Sequence, residues 1–158
     1  MQFVVHDGGR STAGYKGKAG DCVCRAISIA TGLPYQQVYD RLAEGNATQR
    51  RRRSVRTVFG VRATGDKKPR SASQGISTKR KWFNDYMESL GFTWVPTMLV
   101  GQGCKVHLRD GELPMGRLVV SVSKHMCAVI DGVLHDTHDC SRGGTRCVYG
   151  YYVQKESV

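Results

Sequence analysis

No long apolar run occurs in this sequence. Nothing in its 158 residues approaches the roughly 18 apolar residues that cross a bilayer, which argues against membrane spans. The opening MQFVVHDGGRS lacks the basic-then-apolar layout of a secretory signal. The expectation is a cytoplasmic protein with no membrane partner, whose six cysteines are mostly free thiols. No CxxC pair and no internal repeat is present. Acids are scarce, at 13 against 24 Lys and Arg, but the scarcity is local. Twelve basic residues between Arg50 and Lys81 face one acid, Asp66, while the rest of the chain balances twelve against twelve. The net charge of +11 describes that segment and says little about the fold.

What remains is an ordinary globular composition, 40% apolar and 8% aromatic, of a size for one domain over 1–158. Gln2–Val5 reads as a short strand. A loop rich in Gly and Lys follows, and Asp21 is placed to cap a helix, CVCRAISIAT, with Val23, Ala26, Ile27 and Ala30 at helical spacing. Pro34 opens a second helix, PYQQVYDRLAEG. Residues 46–76 are Arg-, Ser- and Gly-rich without a sustained period and read as a flexible basic insertion. Ser77 is placed to cap a third helix, TKRKWFNDYMESL, with Trp82, Phe83, Tyr86, Met87 and Leu90 inward. FTWVPTMLV, KVHL, RLVVSVS, HMCAVI, VLHDT and VYGYYVQ then read as strands, with Pro96 assigning the first to an edge. Helices first and strands afterwards predict an α+β domain, a first helix packed on an antiparallel sheet of about five strands.

The chemistry gathers around Cys22. A thiol at a helix start meets unpaired backbone N–H groups and the positive end of the dipole, both of which favour the thiolate. Cys24 lies about 200° around the helix and cannot face the same cleft. Asp131–Gly132 is a two-residue hairpin signal. With that turn, Val129 faces Leu134, Cys127 faces Asp136 and His125 faces His138, all six on one face. Asp136 becomes the diagonal neighbour of His125. A Cys22–His125–Asp136 triad follows, with Cys22 as nucleophile, His125 as base and Asp136 orienting the imidazole.

GDCVCRAISIATGLPYQQVYDRL resembles the nucleophile helix of papain-like cysteine peptidases, and KHMCAVIDGVLHDT resembles their His–Asp hairpin. The chain order, Cys then His then Asp, is the order in that superfamily. GFTWVPTMLVGQGCKVHL through HMCAVIDGVLHDTHDCSRGGTRCVYGY is similar to small proteins of phages and mobile elements, about 110 of the 158 residues being covered. The resemblance implies a papain-like fold, no cofactor, and a thiol hydrolase or acyltransferase acting on an amide or isopeptide bond of a protein or peptide. It also implies a bacterial host cytoplasm for a phage-borne member. Such enzymes place a Gln about six residues before the Cys as oxyanion donor. Lys16 stands there in this chain, so Lys16, Lys18 and Gln102 are the candidate donors.

Two alternatives accompany this reading. Arg50, Arg51, Arg52, Arg53 and Arg56 form a compact basic run able to hold nucleic acid phosphates or an acidic partner on an inactive papain-like scaffold. Phe59 is the one aromatic in that loop, so it is no stacking platform. His125, Cys127, Asp136 and His138 could ligate zinc, with Cys140 and Cys147 nearby in sequence, although the spacing matches no common structural site and no metal is expected.

Overall fold

The computed structural model describes residues 1–50, 53–58, 60–64 and 67–155, with backbone alone for 53–57 and 61–64. The described elements run β1 (Gln2–Val5), α1 (Cys22–Thr31), α2 (Tyr35–Ala47), β2 (Arg53–Thr57), β3 (Gly60–Thr64), α3 (Lys81–Ser89), β4 (Phe92–Pro96), β5 (Arg117–Val122), β6 (His125–Ile130), β7 (Val133–Asp136) and β8 (Val148–Gln154). This is an α+β architecture. Six strands form one sheet in the order β1-β7-β6-β5-β8-β4, and β2 pairs with β3 apart from it. No helix among the described residues is long and apolar enough to cross a membrane.

The sheet has a core on each face. Strand alternation sends Met126 and Ala128 of β6 toward the helices, with Ile27, Val38, Leu42, Phe83, Met87 and Tyr152. It sends Cys127 and Val129 to the other face, where Leu108, Leu118, Leu134 and Cys140 close a second core under the 97–116 and 137–147 segments. Each large buried aliphatic contributes about 1.5–3 kcal/mol. Helix α1 lies between α2 and the sheet, so all eight residues from Val23 to Ala30 are buried and not only the expected stripe.

The Asp131–Gly132 turn forms as read. Both residues have positive φ, 48° and 78°, as a tight primed turn requires. Val129 pairs with Leu134 and Ile130 with Val133, the register that the turn dictates. Pro96 ends β4 at the sheet edge.

Several expectations are corrected. The sheet is mixed, because β1 runs parallel to β7, and it has six strands. KVHL makes only an isolated bridge, His107 with Cys147. A β2–β3 hairpin stands within the segment read as a loop. Helix α3 starts at Lys81 because the Ser77 hydroxyl accepts a bond from Lys68 instead of capping. The expectation of mostly free thiols holds, Cys22, Cys24, Cys127 and Cys140 being free, and Cys104 and Cys147 form a disulfide. The basic segment is anchored at its end: Gly20 N–H donates to Ser73 O at 2.9 Å and Gly75 N–H to Gly20 O at 3.0 Å. That anchor lies two residues before Cys22.

Candidate active site

Cys22 is the first residue of α1, and Asp21 before it makes no side-chain cap. The Asp21 carboxylate is otherwise engaged. It pairs with Arg25, with Arg10 at 3.2 Å and with the Tyr35 hydroxyl at 2.6 Å. The helix start therefore keeps N–H groups that no side chain satisfies, beside the thiol. Arg10 also donates to Lys16 O and Gly17 O, at 3.2 and 3.4 Å, which ties the Gly-rich loop over the helix end. Gly8 is where that loop comes closest: its φ is +71°, and a Cβ there would stand 3.0 Å from the Arg25 backbone.

His125 is the first residue of β6, at the sheet mouth. Its Nε2 bonds Asp136 Oδ2 at 2.5 Å. Asp136 Oδ1 accepts the Thr137 N–H at 2.7 Å and lies 3.5 Å from Arg25 Nη2. Cys22 and His125 line the same cleft, and the His125 charge acts on the thiol. With Nε2 committed to Asp136, Nδ1 is the ring nitrogen left for that thiol.

These contacts order the charges. Burial alone would raise the Cys22 pKa, but the His125 hydrogen bond and charge, the Met126 N–H and the Arg25 charge outweigh it, and the pKa falls below its ordinary value. Burial opposes a charge on His125, yet its bonds to Asp136, Cys140 and Cys22 and the Asp136 charge push it up to about 11. Burial likewise works against Asp136, and His125, Thr137 and Arg25 together hold its carboxyl below the usual range. Cys24 is pushed by burial to about 12 and is no rival nucleophile.

The structure thus places Cys22 and His125 in the lining of a cleft of about 550 Å³, with Asp136 buried behind His125 and bonded to it. Of the oxyanion candidates, Lys18 lines this cleft. Lys16 and Gln102 are not among its lining residues, and Gln102 lies exposed in the turn after β4. Arg51 and Arg52 fall outside the described residues, as do the side chains of Arg53 and Arg56, and Arg50 makes an isolated bridge with Lys67. A second hollow of about 410 Å³, between α3 and the β4–β8 edge, is lined by no thiol and no histidine.

One group escaped the sequence reading: Arg25 was signalled by a charge inside an otherwise apolar helix, since buried Arg is rare unless paired. Cys140, noted in the sequence only as a neighbour of the zinc alternative, is buried with Cys127 in the second core, beside His125. Sharing of a proton between the free Cys127 and Cys140 thiols lowers the Cys140 pKa and, together with burial, raises that of Cys127. The donor atoms of His125, Asp136 and Cys140 lie within 4.8 Å of one another. That set has Cys140 where the zinc alternative has Cys127 and His138, and the His125–Asp136 bond already engages two of its members. The His138 ring sits 5.3 Å from that of His125.

Compared with protein-family models, curated proteins and solved structures, the chain matches none of them.

Proposed function

We propose that the protein is a papain-like thiol hydrolase or acyltransferase, with Cys22 as nucleophile, His125 as acid and base, and Asp136 as the group that orients the imidazole. The observation that carries this reading is the Asp136–His125 hydrogen bond in a cleft that Cys22 also lines, with the pKa of that thiol depressed. The chain order, Cys on the first helix with His and Asp on adjacent later strands, supports the papain-like assignment.

The chemistry follows from these positions. The Cys22 thiolate attacks an amide, ester or isopeptide carbonyl and forms a C–S bond. The resulting oxyanion is held by N–H groups at the start of α1. Collapse of the tetrahedral intermediate breaks the bond to the leaving amine, which takes the proton from the His125 imidazolium. Water then attacks the thioester with His125 accepting its proton, and the acid leaves as the thiolate is restored. An amine in place of water gives transfer. Asp136 holds Nε2, which keeps Nδ1 aimed at sulfur throughout.

Acylation with p-nitrophenyl acetate tests this directly. A burst of one equivalent of nitrophenol is expected, with one acetyl group on Cys22 by mass spectrometry. Cys22→Ala abolishes it, and His125→Ala slows it by about 100-fold or more. Acetyl groups spread over lysines and other thiols, with Cys22 unmodified, would sink the proposal.

A further inference from the structure

We infer that the cleft selects an acidic peptide, one with Asp or Glu beside the carbonyl under attack, and that Lys18 and Lys124 are the residues that read its carboxylate. The inference rests on the thiol-enzyme reading and adds its substrate class. The cleft around Cys22 is lined by four cations, Arg10, Lys18, Arg25 and Lys124, and by one carboxylate, Asp21. Asp21 is buried and engaged by Arg10, Arg25 and Tyr35, so it presents no negative charge to a ligand. Arg10 and Arg25 are correspondingly neutralised. Lys18 and Lys124 have no carboxylate partner among the described residues, and both are exposed at the rim.

This charge is a local arrangement. Outside the basic segment of residues 50–81 the chain is neutral, twelve acids against twelve bases. The acids have been placed elsewhere, and a cationic rim surrounds the thiol. Lys124 adds a second mark. It sits in the β5–β6 turn next to His125 with φ +53°, a left-handed conformation that Gly or Asn adopts with less strain. A side chain held there at some local cost projects its charge beside the base. A substrate carboxylate at the rim meets two ammonium groups and no exposed carboxylate, the Cys22 thiolate lying deeper beside the cationic His125.

The test uses two alkylating reagents of nearly equal size, anionic iodoacetate and neutral iodoacetamide. Both are reacted with Cys22 at low salt in the intact protein, and the ratio of their rates is taken. Effects on the thiolate itself cancel in that ratio. Relative to glutathione, the ratio is expected to favour iodoacetate in the wild type. It should fall about two- to threefold in Lys18→Gln, by a similar factor in Lys124→Asn, and by the product in the double variant, roughly the effect of one unit charge lost from a largely aqueous rim. It should also collapse toward the glutathione value in 1 M salt. Lys124→Asn relieves the turn, so loss of fold does not obscure its result. Rapid alkylation of Cys22 by both reagents, with a ratio that neither substitution nor salt alters, would overturn the acidic-substrate inference and leave the thiol enzyme standing. Failure of either reagent to select Cys22 over glutathione would overturn the thiol reading, and the inference with it.

Discussion

Arg25→Met is the substitution whose effect the structure defines most fully. The Arg25 side chain is 9% exposed and joins two buried carboxylates, Asp21 and Asp136, which are 0% and 3% exposed. Its removal leaves each of them short of a counter-charge. Breaking a buried ion pair by deleting one partner costs about 3–5 kcal/mol. Asp21 keeps Arg10 and the Tyr35 hydroxyl, and Asp136 keeps His125 and the Thr137 N–H, so the lower end applies, about 3 kcal/mol. For a domain of this size that is a fall in Tm of about 6–12 °C. The Cys22 pKa rises as well, because the Arg25 charge helps to depress it. Urea unfolding followed by Trp fluorescence measures the first effect, with an unchanged slope expected. Arg25→Lys keeps the charge but not the planar fork and should recover only part of the loss. An Arg25→Met variant that loses less than about 1 kcal/mol, a third of the expected cost, would refute the reasoning.

Three other outcomes follow from the same geometry. His125 shapes stability against pH, because, although burial opposes its charge, its bond to Asp136 raises its pKa from an ordinary value of about 6.5 to about 11. Below about 6.5 folded and unfolded histidine both hold the proton and the contribution is complete. Above that the unfolded histidine loses its proton while folded His125 keeps its own up to about 11, so the contribution is lost by at most about 1.4 kcal/mol per pH unit; the lowered Cys22 pKa opposes that loss just below the ordinary thiol value of about 8.5. Unfolding of wild type against His125→Gln over about pH 5–10 should show the wild-type advantage shrinking as pH rises, and an advantage that grows over that range would contradict the raised His125 pKa. Reduction of Cys104–Cys147, whose sequence separation is 43, should lower stability by about 2–4 kcal/mol, read from unfolding with and without dithiothreitol. Gly45→Ala places a methyl 2.3 Å from the Trp82 ring; despite the better helix propensity it should destabilise by about 1–3 kcal/mol and shift Trp emission.

The parts of the site that were legible are those fixed by local rules. Asp131–Gly132 admits one short turn, and that turn sets the β6–β7 register, which in turn places Asp136 diagonal to His125. Cys22 at a helix start needed only the periodicity of CVCRAISIAT and the loop before it. What local rules could not reach depends on long-range competition for the same atoms. Asp21 has the sequence of a cap, yet Arg10, Arg25 and Tyr35 take its oxygens, and two of these three partners lie outside its helix turn. Ser77 likewise loses its capping role to Lys68. The parallel pairing of β1 with β7 joins segments more than a hundred residues apart, a match that a four-residue strand does not announce. The alternation argument rightly grouped His125 with Cys127. It did not foresee that α1 packs on the opposite face, so that His125 reaches Cys22 from the end of its strand.

The most direct test of the central claim is the iodoacetamide alkylation rate of each free cysteine between about pH 5 and 9, in wild type and His125→Ala, spanning the ordinary thiol pKa of about 8.5. Cys22 should react well below that value and ahead of Cys24, Cys127 and Cys140, and the advantage should vanish in the variant. A Cys22 that titrates as an ordinary thiol, or keeps its advantage without His125, would contradict the triad and leave binding through the basic segment as the leading account.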